Sequence, residues 1–224
     1  MAKRIIVAID GPAGAGKSTI ARRFAEKLDF VYIDTGAMYR AVALWAIRTG
    51  VDSSDMHRLE QLASEATIEF EPGNSRVLLN GEDVSDSIRA SAVSHAASKI
   101  SAVTGVRRAL VEKQRRMGQT GSVVMEGRDI GSVVFPDAQV KIYLDADTGV
   151  RANRRARELE RPASDVEREM ADRDLRDRAR RDSPLLQSPD AVYVDTTGLD
   201  LDQVEELVLK LIRDRTSNGK EYAR

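Results

Sequence analysis

The sequence predicts an α/β fold, with a parallel β-sheet core flanked by helices on both faces and a small antiparallel insert. Three observations carry that prediction. Short, β-branched apolar runs recur along the chain with helix-spaced apolar positions between them, the pattern of right-handed β-α-β crossovers. One stretch, Thr67–Leu79, breaks the alternation with two strand-like runs close together. The chain has 224 residues, 42% of them hydrophobic, enough for one large core or a core carrying an insertion.

Taken in order, Arg4–Ile9 is a buried parallel strand stopped by Asp10-Gly11-Pro12. Ile20, Ala21, Phe24, Ala25 and Leu28 then recur at helical spacing over Lys17–Leu28, and Phe30–Ile33 is a second strand. Further strands fall at Val123–Met125, Val140–Leu144 and Ala191–Val194. Helical patterns fall at Met38–Ile47, Val106–Met117, Val150–Leu159 and Val204–Ile212. In the irregular stretch, Thr67–Phe70 and Arg76–Leu79 flank the turn signal Glu71-Pro72-Gly73-Asn74, and Asn80-Gly81 is a second turn signal. Residues 151–181 hold eleven arginines among eight acids, broken by Arg161-Pro162. A capping-box pattern at Ser164-Asp165-Val166-Glu167 predicts a helix restarting there and running towards Arg180.

Composition removes several classes of chemistry. The chain lacks cysteine, which excludes disulfides, cysteine-ligated zinc and thiol nucleophiles. His57 and His95 are the only imidazoles, too few for a multi-histidine metal cage. A formal net charge of -1 gives no global basic excess for nucleic acid, and no run approaches the ~20 apolar residues of a membrane span. A soluble cytoplasmic protein is the expectation. Within that balance, 27 arginines stand against 8 lysines, a bias towards the side chain whose rigid fork matches phosphate and carboxylate.

Gly11-Pro12-Ala13-Gly14-Ala15-Gly16-Lys17-Ser18 fits the G-x-x-x-x-G-K-[ST] phosphate loop, directly after a predicted strand and before a predicted helix. The glycines let successive N–H groups turn inward onto phosphate oxygens, and the helix start, through Thr19, adds positive potential. Lys17 can reach the β- and γ-phosphates of ATP, and the Ser18 hydroxyl can ligate Mg²⁺. A guanine-binding switch would add an N-K-x-D base reader, which is absent. A motor ATPase would end a strand in paired acids, whereas these strands end in Met125-Glu126-Gly127 and Leu144-Asp145-Ala146. A kinase for a small acceptor is the leading reading, with a motor ATPase or a switch-like nucleotide-binding protein as the weaker alternatives.

Three further segments bear on the acceptor: Asp34-Thr35-Gly36-Ala37-Met38-Tyr39-Arg40 and Glu126-Gly127-Arg128-Asp129-Ile130-Gly131 at strand ends, and the arginine-rich run from Asp172 to Arg181. With these the chain resembles the bacterial cytidylate kinases, a family of P-loop nucleoside monophosphate kinases. The matching segments are IDGPAGAGKST at 9–19, DTGAMYR at 34–40, LNGEDVSDSIR at 79–89, EGRDIGSVVFPDAQVKIYL at 126–144 and RDLRDRARRDSPL at 173–185. The resemblance implies a P-loop three-layer core over 1–62 and 99–216, with a mobile arginine-bearing lid at about 154–172. It implies a monophosphate-binding insert over 63–98, and residues 217–224 read as a flexible polar tail.

It also implies activity and roles. ATP and Mg²⁺ serve as donor and cofactor, CMP and dCMP as acceptors, and the enzyme is expected to be a monomer that engages neither nucleic acid nor membrane. Thr35, Arg40, Ser98, Arg107, Arg128, Asp129, Arg173, Asp177 and Arg180 fall on positions that bind the pyrimidine monophosphate. Lys17, Arg128, Arg154 and Arg173 are the candidates for stabilising the transferring phosphoryl group. Physical chemistry supports such a set: cytosine presents an amino donor at N4 beside acceptors at N3 and O2. A carboxylate such as Asp129 can accept from N4 while Arg107 or Arg180 donates to the acceptors. Arg40 and Arg128 suit the acceptor phosphate; Ser98, Arg173 and Asp177 suit the ribose hydroxyls. Between Arg157 and Arg173 the chain is a few residues shorter than the family pattern, with Pro162 in the middle.

Overall fold

A computed structural model describes residues 4–71, 76–180 and 182–215. The expected turn residues Pro72, Gly73 and Asn74, Arg181 of the arginine-rich run and the tail at 217–224 lie outside the described residues. Two compact units divide the chain: one draws on Met1–Tyr32 and Gly121–Arg224, the other on Ile33–Thr120.

A five-stranded sheet of β1 (Ile6–Asp10), β2 (Val31–Asp34), β6 (Val123–Gly127), β7 (Val140–Asp145) and β8 (Val192–Asp195), in the order β2-β6-β1-β7-β8, belongs to the first unit except for Ile33 and Asp34 of β2, with which the second unit begins. β1 pairs in parallel with both β6 and β7, so Asp10 is level with Gly127 on one side and Tyr143 on the other. Every residue of β1 is buried, as a central strand covered on both faces requires. On one face, α1 (Lys17–Leu28) and α8 (Leu201–Arg215) pack Ile20, Phe24, Val204, Val208 and Ile212 against Val7, Ile9, Ile142 and Leu144. α6 (Thr148–Leu159) and α7 (Ala163–Arg178) pack together through Ala152, Ala156, Val166 and Met170, with Ala13 of the phosphate loop against them.

α1 occupies the span its periodicity predicts. α7 differs at its start: the helix begins at Ala163, the cap position is Pro162, and no side chain caps it. Ser164 is therefore inside the first turn, and the expected capping box does not form. Proline before the first turn already supplies the extended backbone that a capping serine would otherwise set, with Pro162 at φ -57° and ψ 135°.

The second unit, which contains the expected 63–98 insert, packs α2 (Thr35–Arg48), α3 (Met56–Glu65), α4 (Ser91–Ile100) and α5 (Thr104–Met117) around Met38, Val42, Leu59, Leu62, Ile100 and Leu110. Its antiparallel sheet has β3 (Ile68–Phe70) and β4 (Val77–Leu79) where strand runs are expected, plus a third strand, β5 (Glu82–Asp83). The extra strand follows from the turn chemistry. Asn80 and Gly81 both have positive φ, 52° and 84°, the backbone of a two-residue hairpin turn, which places Glu82 opposite Leu79. Among the described residues, no helix is long and apolar enough to cross a membrane.

Candidate active site

The phosphate loop leaves β1 at Asp10 and enters α1 at Lys17. Two glycines are imposed by space as well as by backbone angle. A Cβ on Gly11, at φ 145°, would run into the Leu144 carbonyl of β7, and one on Gly14, at φ 74°, would lie 2.8 Å from the Arg151 carbonyl oxygen. Gly16 stands at the start of α1 in the left-handed region, with no side chain capping the helix. The first-turn N–H groups therefore point into the loop unblocked by a local cap, as anion binding demands.

Lys17 is buried, and its Nζ donates to the Pro12 carbonyl at 2.6 Å. Burial, followed by repulsion from Arg128 and Arg173, pushes its pKa down to about 7 against the attraction of Glu126 and Asp10. Three cations gathered at a buried loop raise one another's free energy, and a polyphosphate relieves that repulsion. Ser18 and Thr19 are exposed at the start of α1. Glu126 is buried and accepts from the Tyr32 hydroxyl at 2.5 Å.

Arg128 and Asp129 follow β6. The Arg128 guanidinium donates through Nε to Asp177 Oδ2 at 3.0 Å and through Nη1 to the Gly127 carbonyl at 3.1 Å, while Arg180 donates to Asp177 Oδ1. Burial alone would raise the Asp177 pKa, but Arg128, Arg180 and Arg173 together hold it below the usual carboxylate value. The first unit thus brings Lys17, Arg128, Arg173, Asp177 and Arg180 into one electrostatic cluster, with Asp129 next to Arg128 in sequence. Arg154 is placed otherwise: its Nη1 and Nη2 donate to the Thr196 hydroxyl and carbonyl at 2.9 and 2.7 Å, in the turn after β8.

In the second unit, β2 ends at Asp34, whose side chain caps α2 by accepting from the Ala37 N–H at 2.9 Å and also receives Arg40 at 2.9 Å. Gly36 makes room for that pair, since a Cβ there would lie 3.1 Å from Arg40 Nη1. The sequence DTGAMYR is thereby a cap, a gap and an arginine held by the capping residue. Thr35, Ser98 and Arg107 are all buried. Arg107 donates to the Ser101 carbonyl at 3.4 Å and lies over the Tyr39 ring, and Ser101 donates to the Ser98 carbonyl at 2.8 Å, linking α2, α4 and α5. Ser98 Oγ and Arg40 Nε are buried without a hydrogen bond among the described residues, the condition of groups arranged for a ligand.

Two structural contributors escape the motif reading. Asp10 accepts from the Ile130 N–H at 2.8 Å and the Gly131 N–H at 2.7 Å, joining the end of β1 to the segment after Asp129. Arg151 is buried and donates to the Ala13 carbonyl at 3.0 Å and Asp174 Oδ2 at 2.7 Å, tying the phosphate loop to α7. His57 and His95 are exposed on α3 and α4. Among the described residues no cluster of three or more His, Cys, Asp or Glu side chains is arranged to hold a metal.

A parallel sheet of this order, with a glycine loop and buried lysine at the end of its central strand, defines a P-loop phosphotransferase. The fold is shared at low identity with a sugar kinase from Janibacter sp. HTCC2649 (TM-score 0.52, 14% identity, 97% of this chain and 98% of that one). It is shared equally with an uncharacterized protein from Eubacterium ventriosum (TM-score 0.53, 13% identity, 95% and 100%). In sequence, the cytidylate kinase family model matches residues 7–214. The chain is 58% identical to the cytidylate kinase of Solibacter usitatus, over 99% of this chain and 97% of that one. It is 47% identical to the cytidylate kinase of Geobacillus kaustophilus, over 96% and 99%. The chain belongs to the cytidylate kinase family and is a nucleoside monophosphate kinase.

Proposed function

We propose that the chain transfers the γ-phosphoryl group of Mg-ATP to CMP and dCMP, acting as a cytoplasmic monomer. The observation that carries this reading is the group of buried Lys17 with the half-buried Arg128 and Arg173 at the phosphate loop: burial first, and repulsion from those arginines second, lower the Lys17 pKa, a setting that favours a polyanion. An oxygen of the acceptor phosphate attacks the γ-phosphorus, the bond to the β-γ bridging oxygen breaks, and ADP leaves. A phosphate monoester near neutral pH already offers an anionic oxygen, so the step needs positioning and charge neutralisation rather than a general base.

Within that step, the loop N–H groups of residues 11–19 hold the donor phosphates and Lys17 follows the charge on the transferring group. The Ser18 hydroxyl, exposed at the first turn of α1 as a single hard oxygen donor, suits a Mg²⁺ that arrives with ATP and takes its other ligands from phosphate and water. That ion, when bound, supplies neutralisation of phosphate charge. Arg128 and Arg173 are assigned to the acceptor phosphate and the transferring group, and Asp129 to the cytosine amino group. Asp177 keeps lone pairs for a ribose hydroxyl while both its oxygens accept from arginine. In the second unit Arg40, Ser98 and Arg107, with Thr35, are assigned to the acceptor on the family likeness. Arg154 is assigned to the donor side through its hold on Thr196, whose hydroxyl also approaches the Ala15 carbonyl at 3.4 Å.

The deciding experiment is ADP release with Mg-ATP and a panel of CMP, dCMP, UMP, AMP, GMP and no acceptor. Release dependent on CMP or dCMP is the expected result; acceptor-independent hydrolysis or equal use of the panel overturns the reading. Asp129→Ala is expected to raise the KM for CMP and narrow the CMP-over-UMP preference by about tenfold or more, because unmatched hydrogen-bonding groups give the large discriminations. An unchanged preference removes Asp129 from base recognition.

A further inference from the structure

We infer that Arg151 is a positioning residue for the phosphate donor: it holds the Ala13 carbonyl on the α6 side of the phosphate loop, and so aims the Gly14 N–H at the phosphates. The inference rests on the reading of this loop as the ATP site and adds a residue that acts through its backbone. Arg151 Nη1 donates to the Ala13 carbonyl at 3.0 Å. The Ala13 C=O and the Gly14 N–H belong to one peptide unit, and in a planar trans unit the two bonds point in opposite directions. A guanidinium fixed on the carbonyl therefore fixes the following donor on the opposite side of the loop. Gly14 stands at φ 74°, one of the turns by which successive N–H groups of such a loop converge on an anion.

The guanidinium is committed to protein partners. Its Nε donates to the Ala146 carbonyl at 3.1 Å, Nη1 donates also to Asp174 Oδ2 at 2.7 Å, and the residue is only 4% exposed. A side chain so engaged and so buried acts through the groups it holds rather than by touching the nucleotide. Its stem rises from a fixed turn: Asp147 caps α6 by accepting from the Gly149 and Val150 N–H groups at 2.8 and 3.3 Å, and the Arg151 N–H donates to the Asp147 carbonyl at 2.9 Å. Gly14 admits this neighbour because it has no side chain, since a Cβ there would lie 3.1 Å from Arg151 Cβ as well as against its carbonyl oxygen. The Ala15 carbonyl is approached by the Thr196 hydroxyl at 3.4 Å, which bears on the Gly16 N–H in the same way. Arginine on Ala13 and threonine on Ala15 thus give the two donors separate supports, and one can be removed without the other.

Two variants test this. Arg151→Lys keeps a cation beside Asp174, but a single ammonium lacks the planar fork that spans Asp174, Ala13 and Ala146. R151M/D174L removes both charges together, so that neither is left buried alone. Each is compared with wild type for affinity for a non-hydrolysable ATP analogue with Mg²⁺, for affinity for CMP, and for the movement of the Gly14 and Gly16 amide resonances at saturating analogue. R151K is expected to weaken analogue binding about tenfold, because a hydrogen bond to a charged phosphate is among the strong ones, with CMP affinity changed no more than about threefold. In both variants the Gly14 resonance is expected to move about half as far as in wild type or less, while Gly16 keeps its movement because Thr196 still supports it.

Unchanged analogue affinity with an unchanged Gly14 movement in both variants makes Arg151 a strut between α6 and α7 with no part in donor binding. In R151K, loss of the Gly14 and Gly16 movements together with loss of CMP affinity means that the whole site has given way, and overturns the inference equally. If the analogue fails to bind wild type, the ATP reading of the loop fails first and separately. Wild type alone decides the case where neither variant folds. A Gly14 resonance that moves when the analogue binds supports the aimed donor, and one that stays still while those of Gly16 and Lys17 move overturns it.

Discussion

Replacing Lys17 by methionine is expected to lower kcat by about two to three orders of magnitude, while CMP affinity stays within about threefold and the folded protein becomes no less stable. The three expectations share one cause. Lys17 lies inside the phosphate loop, so its ammonium can act on donor phosphates; the groups assigned to the acceptor base and ribose are elsewhere. Its side chain is buried beside Arg128 and Arg173, with one hydrogen bond to the Pro12 carbonyl, and its pKa is pushed down to about 7 by burial first and those cations second. A lowered lysine pKa means that protonation is harder in the folded chain than in the unfolded one, so at neutral pH the residue opposes folding until a polyanion arrives. Methionine keeps the volume of the stem and removes the charge. Steady-state kinetics, CMP titration by calorimetry and thermal unfolding without nucleotide check the three parts. An equal loss of CMP binding would show that Lys17 serves the acceptor, and a clear fall in Tm would show that its charge stabilises the empty loop.

The trade-off also bears on what a sequence can disclose. The phosphate loop was legible because its chemistry is local: glycine spacing, the strand before it and the periodicity after it all lie within residues 4–28, and α1 has the span Lys17–Leu28 that Ile20, Phe24 and Leu28 predict. The segment DTGAMYR was legible for the same reason, since Asp34, Gly36 and Arg40 form one capped helix start. β5 escaped because Glu82 and Asp83 carry no apolar signal, and its pairing is a consequence of the turn at Asn80 and Gly81. α3 carries a local signal in its sequence, with Asp55 as its cap and Leu59, Leu62 and Ala63 at helical spacing. Asp10 reads only as the residue that stops a strand, because its partners are the N–H groups of Ile130 and Gly131, far along the chain. Arg151 was hidden among eleven arginines of similar setting, and only packing distinguishes the one that reaches the Ala13 carbonyl and Asp174 from those on the solvent side.

Asp177 gives the largest expected effect on stability. Its carboxylate is 1% exposed and divides its oxygens between Arg128 and Arg180, whose side chains are 17% and 8% exposed. Two buried or nearly buried guanidinium groups thus depend on one anion, and removing one member of such a pair is typically destabilising by about 3 to 5 kcal/mol, because the charge left behind stays out of water. Asp177→Asn preserves shape and part of the hydrogen bonding but not the charge, and is expected to lose an amount of that order at pH 7. The pH dependence separates charge from shape. Arg128, Arg180 and Arg173 hold the Asp177 pKa below its unfolded value against the opposing effect of burial, so its contribution is complete above the unfolded pKa of about 3.9 and is lost as pH falls through the lower folded value. Urea or thermal unfolding of the two proteins from pH 7 downward should therefore show a gap that is constant to about pH 4 and closes below it. A gap that persists unchanged into acid would mean that asparagine fails for steric reasons. Adding CMP at pH 7 should narrow the gap if its phosphate stands in for the missing carboxylate, and leave it unchanged if the arginines need an anion on the Asp177 side of the cluster.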